Sequence, residues 1–306
     1  MILPDRLQKG DTIGVIAPAS PSNIDNLKRG IPFFEQMGLQ VKLGKHIDEI
    51  YGYLAGTDAQ RLADVHEMIA DPSVKGIIFA RGGYGTGRIA SDIDYNLIKQ
   101  NPKIIWGYSD ITYIHTTIRQ ATGLVTFHGP MVDSDIGKGD FDELSAKLFQ
   151  QLFSPMKLNY SEEISPLQVI KSGEASGELV GGNLSLLVST LGTPHEINTK
   201  GKLVLIEDIG EEPYRVDAML NQLKLAGKLQ DAAGIIIGDF TKSEPKKEKP
   251  SLTLEQVFQE YLANLTCPVM SGFKIGHCVP HFAVPLGVPA TLSTYKKILS
   301  IDAGVK

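Results

Sequence analysis

The chain has 306 residues, which at roughly 150 residues per domain points to two domains, each with a core of its own. Hydrophobic residues make up 42% and charged residues 21%, so the composition is that of a folded globular protein and not of a disordered chain. Lys plus Arg number 30 against 35 for Asp plus Glu, a formal charge of -5, which leaves no cationic excess to neutralise nucleic-acid phosphates or anionic lipid.

The first half alternates short apolar runs with amphipathic segments, the pattern of strand-helix units in a parallel sheet. Residues 12–17 read as a buried strand ended by Pro18. A helix over about 22–37 has Leu27, Ile31, Phe34 and Met37 on one face, with Pro32 predicted to kink it or to mark a later start. Thr57-Asp58-Ala59-Gln60 is a capping-box sequence, followed by Leu62, Val65 and Ile69 until Asp71-Pro72 stops the helix. Residues 76–80 and 103–106 read as two more strands, and Asp110 is placed to cap a helix with Ile111, Ile114, His115 and Ile118 on its apolar face.

Between 154 and 177 the pattern decays into Pro155, Pro166 and polar stretches, as in a connection between domains. The predicted division is 1–153, a linker over 154–177, and 178–306. The second half predicts a helix near 183–191, a strand over 202–206 and a helix opened by Pro213, with Val216, Met219, Leu220 and Leu223 on one face and Gly227 closing it. A strand over 234–238, a helix over 252–264 and a late strand over 297–302 follow. The Lys- and Glu-rich stretch 242–250 reads as a solvated loop.

Cys267 and Cys278 are too few to staple a chain of this length, which points to a reducing compartment, the cytoplasm. Charged residues arrive in the first ten positions before an apolar leader segment could form, and no apolar run approaches the ~18 residues of a membrane span.

The chemistry concentrates at strand ends. Ile104-Ile105-Trp106-Gly107-Tyr108-Ser109-Asp110 runs an apolar strand into a serine at a sharp strand-to-helix turn, where unpaired helix N–H groups can face an oxyanion. The simpler reading is that Ser109 or Asp110 is only a helix cap, and Ile111 stands where a second glycine of Gly-X-Ser-X-Gly would be. A serine nucleophile needs a base and an orienting acid. His115 lies on an apolar face and reads as a core histidine, and His46 and His66 sit among charged residues. His277 instead stands in the loop just past a strand read over 269–275, and Glu207 ends the apolar strand Leu203-Val204-Leu205-Ile206. The competing reading of Glu207 and its acidic neighbours is service to the dipole of the helix at Pro213.

The glycine-rich turn Arg81-Gly82-Gly83-Tyr84-Gly85-Thr86-Gly87-Arg88 fails as a phosphate loop, because Arg88 and Ile89 replace its Lys and Ser/Thr. It fails as a dinucleotide motif because Arg88 replaces the third glycine. It can still bring N–H groups close to a ligand as an anion nest. No cluster has metal-ligand spacing, so neither metal nor cofactor is expected.

Together these residues resemble the LD-carboxypeptidase family of serine peptidases, which includes the microcin self-immunity proteins. The resemblance rests on Val15-Ile16-Ala17-Pro18-Ala19-Ser20, Gly56-Thr57-Asp58, Ala80-Arg81-Gly82-Gly83-Tyr84-Gly85, Gly107-Tyr108-Ser109-Asp110, His128-Gly129-Pro130-Met131, Gly181-Gly182-Asn183-Leu184, Glu207-Asp208, Tyr214-Arg215-Val216-Asp217 and Gly276-His277. It implies an α/β fold, a doubly wound parallel-sheet N-terminal domain joined to a smaller mixed α/β C-terminal domain, with the site in the cleft between them. It also implies Ser109 as nucleophile, His277 as base and Glu207 as the acid that orients it.

Expected oxyanion donors are the Asp110 N–H and the Gly82-Gly83 turn. Arg81, Arg88 and Arg215 are alternatives for the substrate carboxylate. The implied substrate is a murein tetrapeptide cut between an L-diamino centre and a terminal D-alanine, with a homodimer left open as the assembly. The immunity branch would instead cleave a peptidyl or aminoacyl nucleotide. A nucleotide-binding enzyme and a non-catalytic peptide-binding protein are the readings from other classes.

Overall fold

The computed structural model describes residues 1–245 and 250–306, so part of the charged stretch 242–250 lies outside the described residues. The chain divides into two compact units.

The first unit comprises Met1–Met156, Phe282–Gly287 and Ala303–Lys306. Among the described residues it holds a six-stranded sheet built from β1 (Thr12–Ile16), β2 (Gln40–Leu43), β3 (Val74–Phe79), β4 (Ile104–Gly107), β5 (Thr126–His128) and the late strand Val284–Leu286, which is β12 in chain order. The order is β2-β1-β3-β4-β5, all parallel, with β12 antiparallel on β5. This is a doubly wound sheet whose order reverses at β1 and β3, so the crevice for ligands lies beyond the carboxyl ends of those strands. β1, β3 and β4 are almost wholly buried, which matches their unbroken apolar runs, because helices cover both faces of such a sheet.

The helices are α1 (Ile24–Gln36), α2 (Asp58–Ala70), α3 (Thr86–Ile89), α4 (Tyr95–Gln100), α5 (Thr112–Thr122) and α6 (Glu143–Lys147). α1 runs through Pro32 from its cap at Asn23, whose side chain accepts from the Asn26 N–H. Thr57 and Gln60 form the capping box of α2, as predicted. Ile16, Val65, Ile69, Phe79, Ile105, Ile111, Ile114 and Ile118 pack together in one core. Asp110 does not cap α5, which starts after a 3-10 turn over Ser109–Ile111 without a side-chain cap. Its carboxylate is engaged elsewhere.

The second unit comprises Lys157–His281 and Val288–Asp302. Its strands are β6 (Leu158–Tyr160), β7 (Gln168–Lys171), β8 (Glu174–Asn183), β9 (Leu203–Ile209), β10 (Gly234–Thr241), β11 (Val269–Ser271), β13 (Pro289–Ser293) and β14 (Ile298–Ile301). Among the described residues they form a sheet in the order β6-β14-β13-β8-β9-β10-β11-β7, parallel from β8 to β11 and antiparallel at both flanks. The helices α7 (Leu184–Ser189), α8 (Pro213–Leu225) and α9 (Leu254–Leu262) bury Leu187, Val216, Leu220, Leu223, Val257 and Leu262 against Val204, Ile206, Ile235 and Ile237.

Residues 154–177, where the sequence pattern decays, contain β6, β7 and the start of β8. β6 and β7 occupy the two edges of the sheet and are short and partly exposed; β6 alternates over only three residues and β7 not at all. Among the described residues no helix is long and apolar enough to cross a membrane.

Candidate active site

In the first unit the turn between β4 and the 3-10 helix forces Ser109 to φ 64, one of three non-glycine residues with positive φ among those described. Such a conformation costs an L-residue on the order of 1 kcal/mol and is retained where it aims a side chain. The glycine-rich turn after β3 passes directly beside it. A Cβ added at Gly82 would stand 2.9 Å from Ser109 Cβ, 3.1 Å from its Oγ and 3.2 Å from the Asp110 nitrogen. Glycine here leaves space at the hydroxyl and brings the turn and the Asp110 N–H to the same point. Gly83, at φ 109, is equally constrained, because a Cβ would collide with Ser20 Oγ at 2.3 Å. Ser20 Oγ in turn accepts from the Tyr84 N–H at 3.1 Å, and the Ser20 N–H donates to Gly82 O at 3.3 Å.

Asp110 ties the two loops together. Its Oδ2 accepts from the Thr86 N–H at 2.8 Å while Thr86 Oγ1 donates to its backbone carbonyl at 2.6 Å. Burial raises its carboxyl pKa, and the Thr86 bonds offset part of that rise. Behind the turn, Tyr108 OH donates to Asp135 Oδ1 at 2.9 Å, and His115 Nε2 lies 2.8 Å from Gly107 O. His115 is a core residue whose pKa burial pushes down to about 3. His46 Nδ1 bonds Asp64 Oδ1 at 2.8 Å and His66 Nε2 accepts from the Asp94 N–H, so each ties a loop to α2.

In the second unit Glu207 lies within β9, which continues to Ile209, three residues further than the apolar run suggests. Its side chain is completely buried, and its Oε2 is 2.8 Å from His277 Nδ1. Two glycines make room for it. A Cβ at Gly276, where φ is 126, would fall 2.6 Å from Glu207 Oε2, and one at Gly238 would fall 3.1 Å from Glu207 Cβ and 2.3 Å from Ile275 O. β11 ends at Ser271, so His277 stands on an irregular segment and not directly at a strand end.

Adjacent residues of a strand face opposite ways, and Asp208 accordingly turns from the histidine. It accepts from Asn183 Nδ2, the Ser185 N–H and Oγ, and the Ile209 N–H at 2.8 to 3.0 Å. Its pKa is raised, first by burial and then by the Glu207 charge, against the Ser185 bonds.

The three candidate arginines differ. Arg88 grips Asp58 through Nε at 3.0 Å and Nη2 at 2.8 Å, and Arg215 pairs with Glu211 at 3.1 Å. Among the described residues Arg81 has only the Pro21 carbonyl at 3.3 Å and the Asp133 carboxylate at 3.9 Å. Asp133, Thr86 and Ser20 carry much of the geometry yet were not singled out by sequence as site residues, since each is a common polar residue in a loop or at a short helix start. Among the described residues no group of three or more His, Cys, Asp or Glu could hold a metal ion.

The models of the LD-carboxypeptidase N-terminal domain and of the LD-carboxypeptidase C-terminal domain match residues 13–129 and 176–292. The chain is 57% identical to a probable murein peptide carboxypeptidase of Bacillus subtilis over 99% of this chain and 95% of the relative. It is 32% identical to a murein tetrapeptide carboxypeptidase of Pseudomonas aeruginosa over 92% of each. The crystal structure of an MccF-like protein from Bacillus anthracis superposes with a TM-score of 0.89 at 29% identity, covering 99% of this chain and all of that one. With both halves matched by the family models and relatives aligned nearly end to end, the chain belongs to the LD-carboxypeptidase family of peptidases.

Proposed function

We propose that the protein is a serine-type carboxypeptidase that removes the terminal D-alanine from murein tetrapeptides. The single observation that carries the reading is the left-handed backbone of Ser109 at the β4 carboxyl end, with a glycine turn left bare against its hydroxyl. Ser109 Oγ attacks the carbonyl of the L-diamino residue and His277 accepts its proton. Because Nδ1 is engaged with Glu207, Nε2 is the nitrogen that acts. The charged tetrahedral oxygen is received by the Asp110 N–H and an N–H of the Gly82-Gly83 turn, each worth about 3 kcal/mol in comparable sites. The protonated histidine then gives its proton to the departing D-alanine amine, and water repeats the cycle on the acyl-enzyme.

Glu207 fixes the imidazole tautomer and stabilises the imidazolium, for which a fully buried carboxylate in hydrogen-bond contact is suited. The substrate assignment draws on the names of the Bacillus and Pseudomonas relatives. The reaction would belong to peptide recycling in the cytoplasm, in keeping with two free cysteines and no disulfide. The test is incubation with a murein tetrapeptide and mass detection of the loss of one alanine, with Ser109→Ala as control. Cleavage of a peptidyl nucleotide in place of the tetrapeptide would assign the chain to the chemistry of the immunity proteins.

A further inference from the structure

A carboxypeptidase must tell a chain end from a chain interior, and a planar guanidinium that binds a carboxylate side-on is the usual means. Arg88 and Arg215 are committed to Asp58 and Glu211. Arg81 directly precedes Gly82, whose added Cβ would stand 3.1 Å from Ser109 Oγ, so its backbone passes beside the nucleophile, while its head group lies at Pro21 O and Asp133. The carboxylate of a terminal residue lies just beyond the bond that is cut.

Arg81 faces an unusual partner. Asp133 is 1% exposed, its N–H donates to Ala80 O at 2.9 Å, and its Oδ2 accepts from the Asn23 N–H at 2.8 Å. Its other oxygen is aimed at Arg81 Nε across 3.9 Å, too long for a hydrogen bond, and among the described residues neither of these two buried atoms has a hydrogen-bond partner. The Ser22 hydroxyl and the Asp135 carboxylate also act on it, and Asn26 Nδ2 donates to its backbone carbonyl at 3.1 Å. A buried carboxylate held short of its counter-ion is poor design for stability, since desolvation is only partly offset. Such groups concentrate at functional sites.

We propose that Arg81 binds the C-terminal carboxylate of the peptide and that Asp133 is the positioning residue that orients the guanidinium, turning Nε inward and the Nη edge toward the substrate. The inference rests on the carboxypeptidase reading. Burial raises the Asp133 pKa to about 6 despite Arg81 and the Asn23 bond. As pH falls through that value Asp133 becomes neutral and its hold on Arg81 weakens.

The experiment measures kcat and KM of wild type, Arg81→Gln, Arg81→Lys and Asp133→Asn on a murein tetrapeptide and on the same peptide with a C-terminal amide. Arg81→Gln should lower kcat/KM for the acid about 10²-fold, to the level of the amide, and leave the amide nearly unchanged. Arg81→Lys should recover part of the loss. Asp133→Asn should raise KM for the acid about 10-fold with kcat little changed and without lowering Tm, and it should abolish the rise in wild-type KM below about pH 6. Equal losses on acid and amide, or an Asp133→Asn protein that melts earlier with KM unchanged, would overturn the proposal while leaving the peptidase reading intact. Failure of wild type to cleave either peptide would end both.

Discussion

Ser109 is held in a conformation that glycine would adopt without strain, so Ser109→Gly separates stability from catalysis. That variant should melt about 2–4 °C higher, from relief of about 1 kcal/mol, while losing peptidase activity. Calorimetry beside an alanine-release assay checks both, and a lower Tm would contradict the strain. Gly82→Ala approaches the same point from outside. Its φ is not positive, but the new methyl would stand 2.9 Å from Ser109 Cβ and 3.2 Å from the Asp110 nitrogen, so the two loops must shift apart, and kcat should fall at least about 10²-fold together with a lower Tm.

Glu207 and Asp208 test the division of labour between neighbours. Glu207→Gln should cost about 10²-fold to 10⁴-fold in rate, scaled from the corresponding change in serine proteases. Asp208→Asn turns an amide NH2 toward donors that one of its oxygens now receives, so about 1–3 kcal/mol of stability should be lost, with a smaller effect on rate. Measuring turnover and Tm of both variants separates the roles, and a Glu207→Gln enzyme within a few-fold of wild type would remove Glu207 from the mechanism.

At the scale of elements, helix ends are the features whose stability contribution reads most directly from sequence. α9 has a complete capping box between Thr253 and Gln256, remote in sequence from the candidate site residues, so Thr253→Ala should lower stability by about 1 kcal/mol and leave kcat/KM unchanged, as urea melts and assays would report. The amphipathic helices and the buried parallel strands were legible because burial on both faces writes an unbroken apolar run, as in Ile104-Ile105-Trp106. β2, β6 and β7 were not, since an edge strand has partly solvated faces and owes its place to backbone bonds that any residue can make. Asp110 misled for a related reason. A helix-capping residue type adjacent to a helix is the local expectation, but its carboxylate found a donor 24 residues away in the chain, at Thr86. Serine, histidine and glutamate at or near strand ends were visible as residue types in position, whereas the support from Ser20, Thr86 and Asp133 depends on which loops meet.

Across the whole molecule, two sheets with separate cores were foreshadowed by length and by the change of pattern near the middle of the chain. The late return of the chain was not, because a three-residue strand such as Val284–Leu286 carries too few positions to show any period. Peptidase activity should survive prolonged dialysis against a chelator undiminished, since the proposed chemistry runs on a hydroxyl, an imidazole and backbone amides. Loss of activity that returns with zinc would reject it.

The pairing of β5 with β12 joins residues such as His128 and Val284, separated by about 150 positions. Translation runs in one direction, so the first unit emerges with β5 as an open edge and waits while Lys157–His281, the larger part of the second unit, is made. At roughly 5–20 residues per second that wait is on the order of ten to thirty seconds, long compared with the folding time of a small domain. An uncovered edge strand recruits other strands. A chain ending at residue 281 should therefore engage holding chaperones or self-associate, and the released chain with residues 282–306 in place should not, which places the aggregation hazard of this protein in its synthesis and not in its finished form.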